Sequence, residues 1–493
     1  MVIHQTRKQK RQRGFVTLIW TCMMLFVIVP SVGLAIDAGV MYYIKSKLQA
    51  AVDGAALGAA RSLSRGLTIP SQEASASDTA VRYFHANFPN HWMGVTPVND
   101  PTVTWPLAPP ATAIINVQGD VDAPTWFMRI IGVNSLHFTV VGQATRRNVN
   151  LMLVVDRSTS LHDTGSCPTL STDSQLFVQS FSNNRDRMGL VTFGTYYNID
   201  FAPNYNFQTT MTTMLGNLQC SGFTNAAAAF STAYSTLKNL NDLNALNVIV
   251  MFTDGIPNTI TLGPAYGPGA GVAGAPMPIK GSCVLNANPP AGFSGVIAGD
   301  TAYDVTGGIF QATNSTYPAP QPFPADISLI GHGQNYKSGC SFPSNSVIAG
   351  PSTPFANDIS YLPPTDSFGN GLDTDLLGGA GFPAGPINHS GGHIVANDMQ
   401  TIENAGINAL DNAAQNARLN AAANNIPFIV YTIGLGNAMG GVNNVLLQRI
   451  ANDASSATHQ AAYTTGLYMY SPDTAHLSSA FATIASDILR ISK

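Results

Sequence analysis

Asn150-Leu-Met-Leu-Val-Val-Asp-Arg-Ser-Thr-Ser160 is the stretch whose reading decides the fold of this chain. An apolar, β-rich run from Leu151 to Val155 delivers Asp156 to its C-terminal end, and Ser158 and Ser160 follow at alternate positions. In an open α/β sheet, the loops at the carboxyl ends of strands are where ligands sit. One carboxylate and two hydroxyls on such a loop form a hard-oxygen cluster suited to Mg2+, which demands octahedral oxygen ligation. Taken alone, the same residues equally suit an aspartate capping a helix within a Ser/Thr-rich loop.

Two later segments weigh against the capping reading. Ser221-Gly-Phe-Thr-Asn225 puts Thr224 just before an alanine-rich helix that starts at Ala226, and Asn247-Val-Ile-Val-Met-Phe-Thr-Asp-Gly255 is a second buried-type strand ending in Asp254. In this order and spacing the three pieces resemble the von Willebrand factor A (vWA) domain and its metal-ion-dependent adhesion site. The resemblance implies hydroxyl ligands from Ser158, Ser160 and Thr224, with Asp156 and Asp254 acting directly or through water on Mg2+ or Mn2+. All five positions are filled.

Composition sets the compartment. Only 10% of the 493 residues are charged and the formal net charge is −4, so a global polyanion-binding role has no support. Five basic residues, Arg7, Lys8, Lys10, Arg11 and Arg13, crowd ahead of Gly14. From Gly14 to Ile36 no side chain is charged, and about 20 apolar residues suffice to cross a hydrocarbon core as a helix. Pro30 is tolerable inside such a span as a kink. The basic tail outweighs Lys45 and Lys47 on the far side and predicts a cytoplasmic N-terminus, with the rest exported across the inner membrane. A signal peptide cleaved after Gly33-Leu-Ala35 is the alternative. The run exceeds a usual signal core and its helix continues past that point, so a retained anchor is expected.

Cys22 lies inside the span, leaving Cys167, Cys220, Cys283 and Cys340 outside it. Four cysteines allow three pairings, and an oxidising compartment permits them; four free buried thiols are the alternative. The vWA resemblance brings the loops around Cys167 and Cys220 together, and so implies Cys167–Cys220 and, within an insertion, Cys283–Cys340.

Beyond the span, Asp37 to Arg61 carries good helix formers and no proline, with Tyr42, Leu48, Ala51, Ala55 and Ala59 on one small, apolar face. A short helix, 77–87, follows. Thr102–Trp105 is expected to pair with Ala113–Val117, Asp122–Val133 to form a short helix, and Leu136–Thr145 a last strand. A long helix on a small sheet is a pilin-like plan. Arg13-Gly-Phe15, Gly33-Leu-Ala-Ile-Asp-Ala-Gly39, Leu48-Gln-Ala-Ala-Val-Asp-Gly-Ala-Ala-Leu57 and the Pro-Thr-Trp-Phe-Met-Arg-Ile-Ile-Gly-Val run ending at Val133 are similar to the N-terminal region of TadG-type tight-adherence (Flp) pilus-assembly proteins. In one place the pattern departs. Gly14-Phe15 suits a prepilin peptidase, yet Ile19 stands where pilins carry a glutamate, which speaks against polymerisation as a pilin subunit.

From Asn148 onward strands alternate with helices, which specifies a parallel sheet covered on both faces. Leu176–Phe181 is expected in the first helix, Arg187–Phe193 and Val248–Phe252 in core strands, and Tyr197–Phe201 in an antiparallel edge strand. The alternation breaks over 261–393, a Gly/Pro-rich, loop-rich insertion that serves either recognition or as a solvated bulge. It resumes with a helix at 399–423 (apolar positions Ile402, Ile407, Leu410 and Leu419), a strand at 427–436 and a helix at 444–451. A final amphipathic helix carries Leu477, Phe481, Ile484, Ile488 and Ile491.

The expected organisation is therefore a basic tail (1–13), a transmembrane helix (14–36), a helix with a small α+β sheet (37–147), and a Rossmann-like, doubly wound vWA domain in two parts (148–260 and 394–493) around the insertion. His389 and His393 bracket a Gly-rich turn that guarantees no shared face for zinc. Asp366–Asp375 has calcium-loop chemistry without the EF-hand spacing, and a turn is expected there. No phosphate-binding glycine loop or nucleophile elbow is present. Together the resemblances imply a membrane-anchored envelope protein that binds an acidic protein ligand through the ion, not nucleic acid. A pilus-assembly scaffold whose ion only stabilises the loops is the alternative, and an enzyme stands behind both.

Overall fold

The computed structural model describes residues 6–63, 68–95, 98–107, 113–262, 399–436 and 441–491, with short pieces of the stretch between them from 294 to 395. The chain divides after Arg146 into two compact units.

The first unit is built on one long helix. Segment α1 (Thr6–Met23) passes through a π-helical turn, Met24–Ile28, into α2 (Val29–Ser62). The wide turn lies just ahead of Pro30, which has no N–H to donate and whose ring would crowd the carbonyl four residues back. Among the described residues one helix, Phe15–Ser62, is long and apolar enough to cross a membrane. Phe15, Leu18, Trp20, Leu25 and Phe26 are all exposed along it. Past the apolar run the helix becomes a packing element. Met41, Ile44, Leu48, Ala51, Ala55 and Ala59 are buried against α3 (Ile69–Asn87) and a small sheet, whereas Tyr42, expected on that face, is exposed. Helix α3 begins earlier than expected, because Thr68 and Ser71 cap it reciprocally with Pro70 in the first turn between them.

The small sheet is antiparallel, in the order β1 (Thr102–Thr104), β2 (Ala113–Pro124) and β3 (Ser135–Arg146). Here the expected helix over 122–133 is corrected. Asp122, Ala123 and Pro124 pair with His137, Leu136 and Ser135, so the hairpin runs to its tip, and only Met128–Ile131 forms a 3-10 turn.

The second unit is a six-stranded sheet with helices on both faces. Its strands are β4 (Val149–Asp156), β5 (Arg187–Phe193), β6 (Tyr197–Asn204), β7 (Leu246–Thr253), β14 (Phe428–Leu435) and β15 (Leu467–Ser471). They lie in the order β15-β14-β7-β4-β5-β6, all parallel except the edge strand β6. Alternate residues of β4 feed two cores. Met152 and Val154 pack with α7 (Ala226–Leu240), α8 (Met399–Ala423) and α9 (Asn444–Ala451). Leu151, Leu153 and Val155 pack with Leu161 of the short α4 (Thr159–Asp163) and with α5 (Cys167–Gln179), α6 (Gln208–Gly216) and α10 (Leu477–Ile491). Of the apolar positions expected on these helices, Leu419 and Ile491 are exposed.

Between 259 and 395 the described pieces form two small antiparallel sheets, so this region is more than loop. One holds β8 (Thr259–Leu262), β9 (Ser294–Ala298) and β10 (Ile309–Ala312). The other holds β11 (Tyr361–Leu362), β12 (His389–Ser390) and β13 (His393–Val395). Helix α8 straps part of this region down through asparagines one turn apart. Asn408 Nδ2 donates to the Leu372 carbonyl, Asn412 Nδ2 to Gly371 (both 2.8 Å), and Asn416 Nδ2 to Asn370 Oδ1 (3.1 Å). Asn404, Asn408, Asn412, Asn416, Asn420 and Asn424 recur at every fourth position, a pattern the sequence reading above does not use.

Candidate functional site

The site forms where parallel strands end side by side. Because Val155 is in register with Phe252, Asp156 and the Thr253-Asp254 pair emerge together at the carboxyl edge of β4 and β7. Asp156 Oδ1 accepts the Ser158 N–H (2.8 Å), which bends the loop so that Ser158 and Ser160 turn toward the second strand. Asp156 Oδ2 accepts the Thr253 hydroxyl (2.5 Å). Ser160 Oγ donates to Asp254 Oδ1 (2.8 Å) and lies 2.9 Å from Ser158 Oγ, itself 3.4 Å from the same carboxylate oxygen.

Thr224 joins from the third loop. A methyl group built on Gly255 would lie 3.5 Å from Thr224 Oγ1 and 3.9 Å from Ser160 Oγ, so the two hydroxyls flank one point. Asn258 holds Thr224 by both backbone groups: its Oδ1 accepts the Thr224 N–H (2.8 Å) and its N–H donates to the Thr224 carbonyl (3.2 Å). All five expected residues therefore meet, and all are buried. Thr253 and Asn258 escaped the sequence reading; Thr253 lies inside the quoted strand, directly before Asp254.

The loops are tied independently of the cluster. Cys167, at the start of α5, is disulfide-bonded to Cys220, with their Cα atoms 6.1 Å apart. Cys283 and Cys340 lie outside the described residues. The Gly222 carbonyl accepts from Thr159 N–H (2.9 Å) and Thr159 Oγ1 (3.1 Å). Gly222 has φ +100°, and a Cβ there would meet the Thr195 nitrogen at 2.7 Å, so only glycine closes this turn. Arg157, between the acidic and hydroxyl positions, is fully buried, and its charge favours ionisation of Asp156.

Electrostatics within the cluster work against two charged carboxylates. Burial pushes the Asp156 carboxyl upward against the hydrogen bonds from Thr253 and Ser158. Asp254 is pushed up by burial and then by the neighbouring Asp156 charge. Asp254 Oδ2 is buried and has no hydrogen-bond partner among the described residues, a costly condition for a carboxylate. Two carboxylates and three hydroxyls, all oxygen, match the donor preference of a hard divalent cation.

The other candidates resolve differently. His389 and His393 sit on antiparallel neighbours, and His389 Nε2 lies 2.8 Å from Asp373 Oδ2. Among the described residues no group of three or more His, Cys, Asp or Glu could hold a metal. Asp366 spends its carboxylate on its own turn, accepting the N–H groups of Phe368 and Asn370 (both 2.8 Å), as expected of a turn.

Two family models match separate parts of the chain. Residues 151–256 match the model of the von Willebrand factor type A domain, and residues 14–62 that of the putative Flp pilus-assembly TadE/G-like family. No curated protein matches the sequence. Among solved structures, the chain is similar to the vWF domain of the type V pili tip protein Mfa5 from Porphyromonas gingivalis, at 15% identity over 71% of this chain and 98% of that one, TM-score 0.38. It is also similar to the PilB minor pilin from Streptococcus sanguinis, at 14% identity over 81% of this chain and 79% of that one, TM-score 0.36. The pilus adhesin SpaC from Lactobacillus rhamnosus GG matches at 13% identity over 79% of this chain and 33% of that one, TM-score 0.35. The chain thus joins a TadE/G-like pilus-assembly region to a vWA domain, the architecture of the TadG type.

Proposed function

We propose that this is a membrane-anchored envelope protein of a Flp, tight-adherence pilus system that binds an acidic side chain of a partner protein at the Asp156–Ser158–Ser160–Thr224–Asp254 cluster. The observation that carries the reading is Asp254 Oδ2, buried beside a second carboxylate and without a hydrogen-bond partner among the described residues. When bound, Mg2+ or Mn2+ supplies positive charge and an open coordination position that a partner's Asp or Glu can fill. Asp156 and Asp254 would hold the ion's charge, and the hydroxyls of Ser158, Ser160 and Thr224 would complete the oxygen set. Thr253, Asn258 and Arg157 position these groups, and the region between 261 and 393 is the candidate selector of the partner.

The cluster reads as a binding site rather than a staple because the Cys167–Cys220 disulfide and the Thr159–Gly222 bonds already tie the loops together. The test is a pull-down of pilus and surface components by the full chain, with and without chelator, beside Asp156→Ala. Capture lost in both arms supports the mechanism, and capture indifferent to both refutes it. If Asp156→Ala lowers the melting temperature and leaves the captured set unchanged, the scaffold alternative holds instead.

A further inference from the structure

The turn between β2 and β3 carries an unusual load of exposed apolar surface. Trp126 is 59% exposed, Phe127 37%, Ile130 83% and Ile131 71%. These side chains stand on a tightly bonded turn: Thr125 N–H donates to the Asn134 carbonyl (3.0 Å), Val133 N–H to Met128 (3.1 Å) and Gly132 N–H to Arg129 (3.1 Å).

The turn is fastened to the long helix at one level. Asp37 accepts the N–H groups of Trp126 (3.1 Å), Phe127 (2.9 Å) and Met128 (2.7 Å). One helical turn earlier, Gly33 lets the Phe127 ring lie on the helix backbone, since a Cβ there would meet the ring at 2.7 Å. Residues 33–37 are where the uncharged run 14–36 ends. The turn's apolar groups therefore continue the exposed apolar surface of that run, which ends in Val32, Leu34 and Ile36.

Polarity changes abruptly along the hairpin. Asp122 and His137, 3.0 Å apart, and Asp120 and Thr139, 2.6 Å apart, are paired and lie at or near the surface. Asp122 is only two residues behind the end of β2, roughly 7 Å along a strand. An apolar tip backed by charge at Asp122, four residues before Trp126, matches the steep polarity change at a bilayer interface, where tryptophan concentrates. Arg129, exposed on the same turn, can reach lipid phosphates while its stem stays among apolar groups.

We propose that the 125–133 turn is a membrane-contacting foot. Trp126, Phe127, Ile130 and Ile131 enter the interface of the leaflet from which the helix emerges, opposite the basic tail, and the occupant of this surface is lipid of that same bilayer. The foot fixes the height of the first unit above the membrane and keeps the Asp37 carboxylate bonded to backbone instead of facing lipid. This rests on residues 14–36 being a membrane span, and the controls below separate the two claims.

The test uses the full chain in lipid vesicles, with a nitroxide attached at Ile130→Cys in a Cys22→Ser, Cys283→Ser, Cys340→Ser background. Matched labels at Leu25→Cys and Asp122→Cys report the span and the aqueous face. Relative access of oxygen and of a water-soluble nickel chelate is read at each site. The Ile130 ratio is expected to lie several-fold above that at Asp122 and below that at Leu25. An Ile130 ratio equal to that of Asp122, with Leu25 in lipid, overturns the foot and leaves the span standing. A label shielded from both reagents means that protein covers the turn, which also overturns it. An aqueous Leu25 removes the span, and the foot with it.

Discussion

Asp37 and Asp254 are both buried carboxylates at the end of an apolar run, and the two units treat them oppositely. Asp37 accepts three backbone N–H groups from one turn and is satisfied within the protein. Asp254 leaves Oδ2 without a partner among the described residues, and burial, then the neighbouring Asp156 charge, push its carboxyl upward. A carboxylate whose hydrogen bonds are complete is a structural fastener. One held dry, incomplete and beside its own kind has the character of the cation site proposed above. The contrast also separates the two apolar runs: the first ends in a joint that positions the unit, the second in a site.

The largest effect expected should fall on neither carboxylate. Replacing Cys167 and Cys220 by serine frees a loop of 53 residues and should lower stability by about 4 kcal/mol in the chain-entropy account. A chemical-denaturation midpoint close to that of the parent would show that the ligand loops are held by other bonds. For the fastener, Asp37→Ala strands three N–H donors against the helix and should destabilise the first unit, by less than loss of the disulfide. Faster proteolysis near Trp126 would report it, and unchanged cleavage would mean the turn holds without its carboxylate.

Asp200, on β6, sharpens the comparison because it is half-buried and bonded yet still perturbed. Burial pushes its carboxyl up to about 6, against hydrogen bonds from Thr192 and Asn198. The folded chain therefore keeps this proton in the window between about 4 and about 6, where the unfolded chain has released it. Stability should fall as pH rises through that window, by up to about 3 kcal/mol. Melting curves of Asp200→Asn against the parent should differ in this slope, and parallel profiles would show that the carboxyl titrates normally.

The smallest change should come from Asp254→Asn, which removes one of two facing charges. In chelator the variant should be about 1–2 kcal/mol more stable than the parent. With Mg2+ the order should reverse, because only the parent gains melting temperature from the ion. A variant that loses stability in chelator, or that responds to Mg2+ as the parent does, would break the distinction between fastener and site.

Much of the second unit was legible in advance because parallel strands buried on both faces read as continuous apolar runs. β5, β7 and β14 fall where those runs lie. Helix α6 and strand β15 were not foreseen. The α6 segment is threonine-rich, with only Met211 and Leu215 as buried apolar markers, and the β15 sequence carries no long apolar run. The misread turn at 122–133 has a physical cause as well. Trp126, Ile130 and their neighbours are spaced like one face of a helix, but pairing with residues 135–137 outweighs that local preference. The asparagine series on α8 was visible at every fourth residue, but its use depended on a backbone segment lying alongside.

The buried core strands of the second unit, the uncharged span behind a basic tail and the identity of the five oxygen-bearing residues were legible in the sequence alone, because periodicity and charge are local properties of the chain. The tertiary structure decided which atoms were left unsatisfied. That Asp37 finds its three donors some ninety residues away, while Asp254 finds an acidic neighbour and, among the described residues, no donor for Oδ2, follows from long-range pairing that no local pattern encodes.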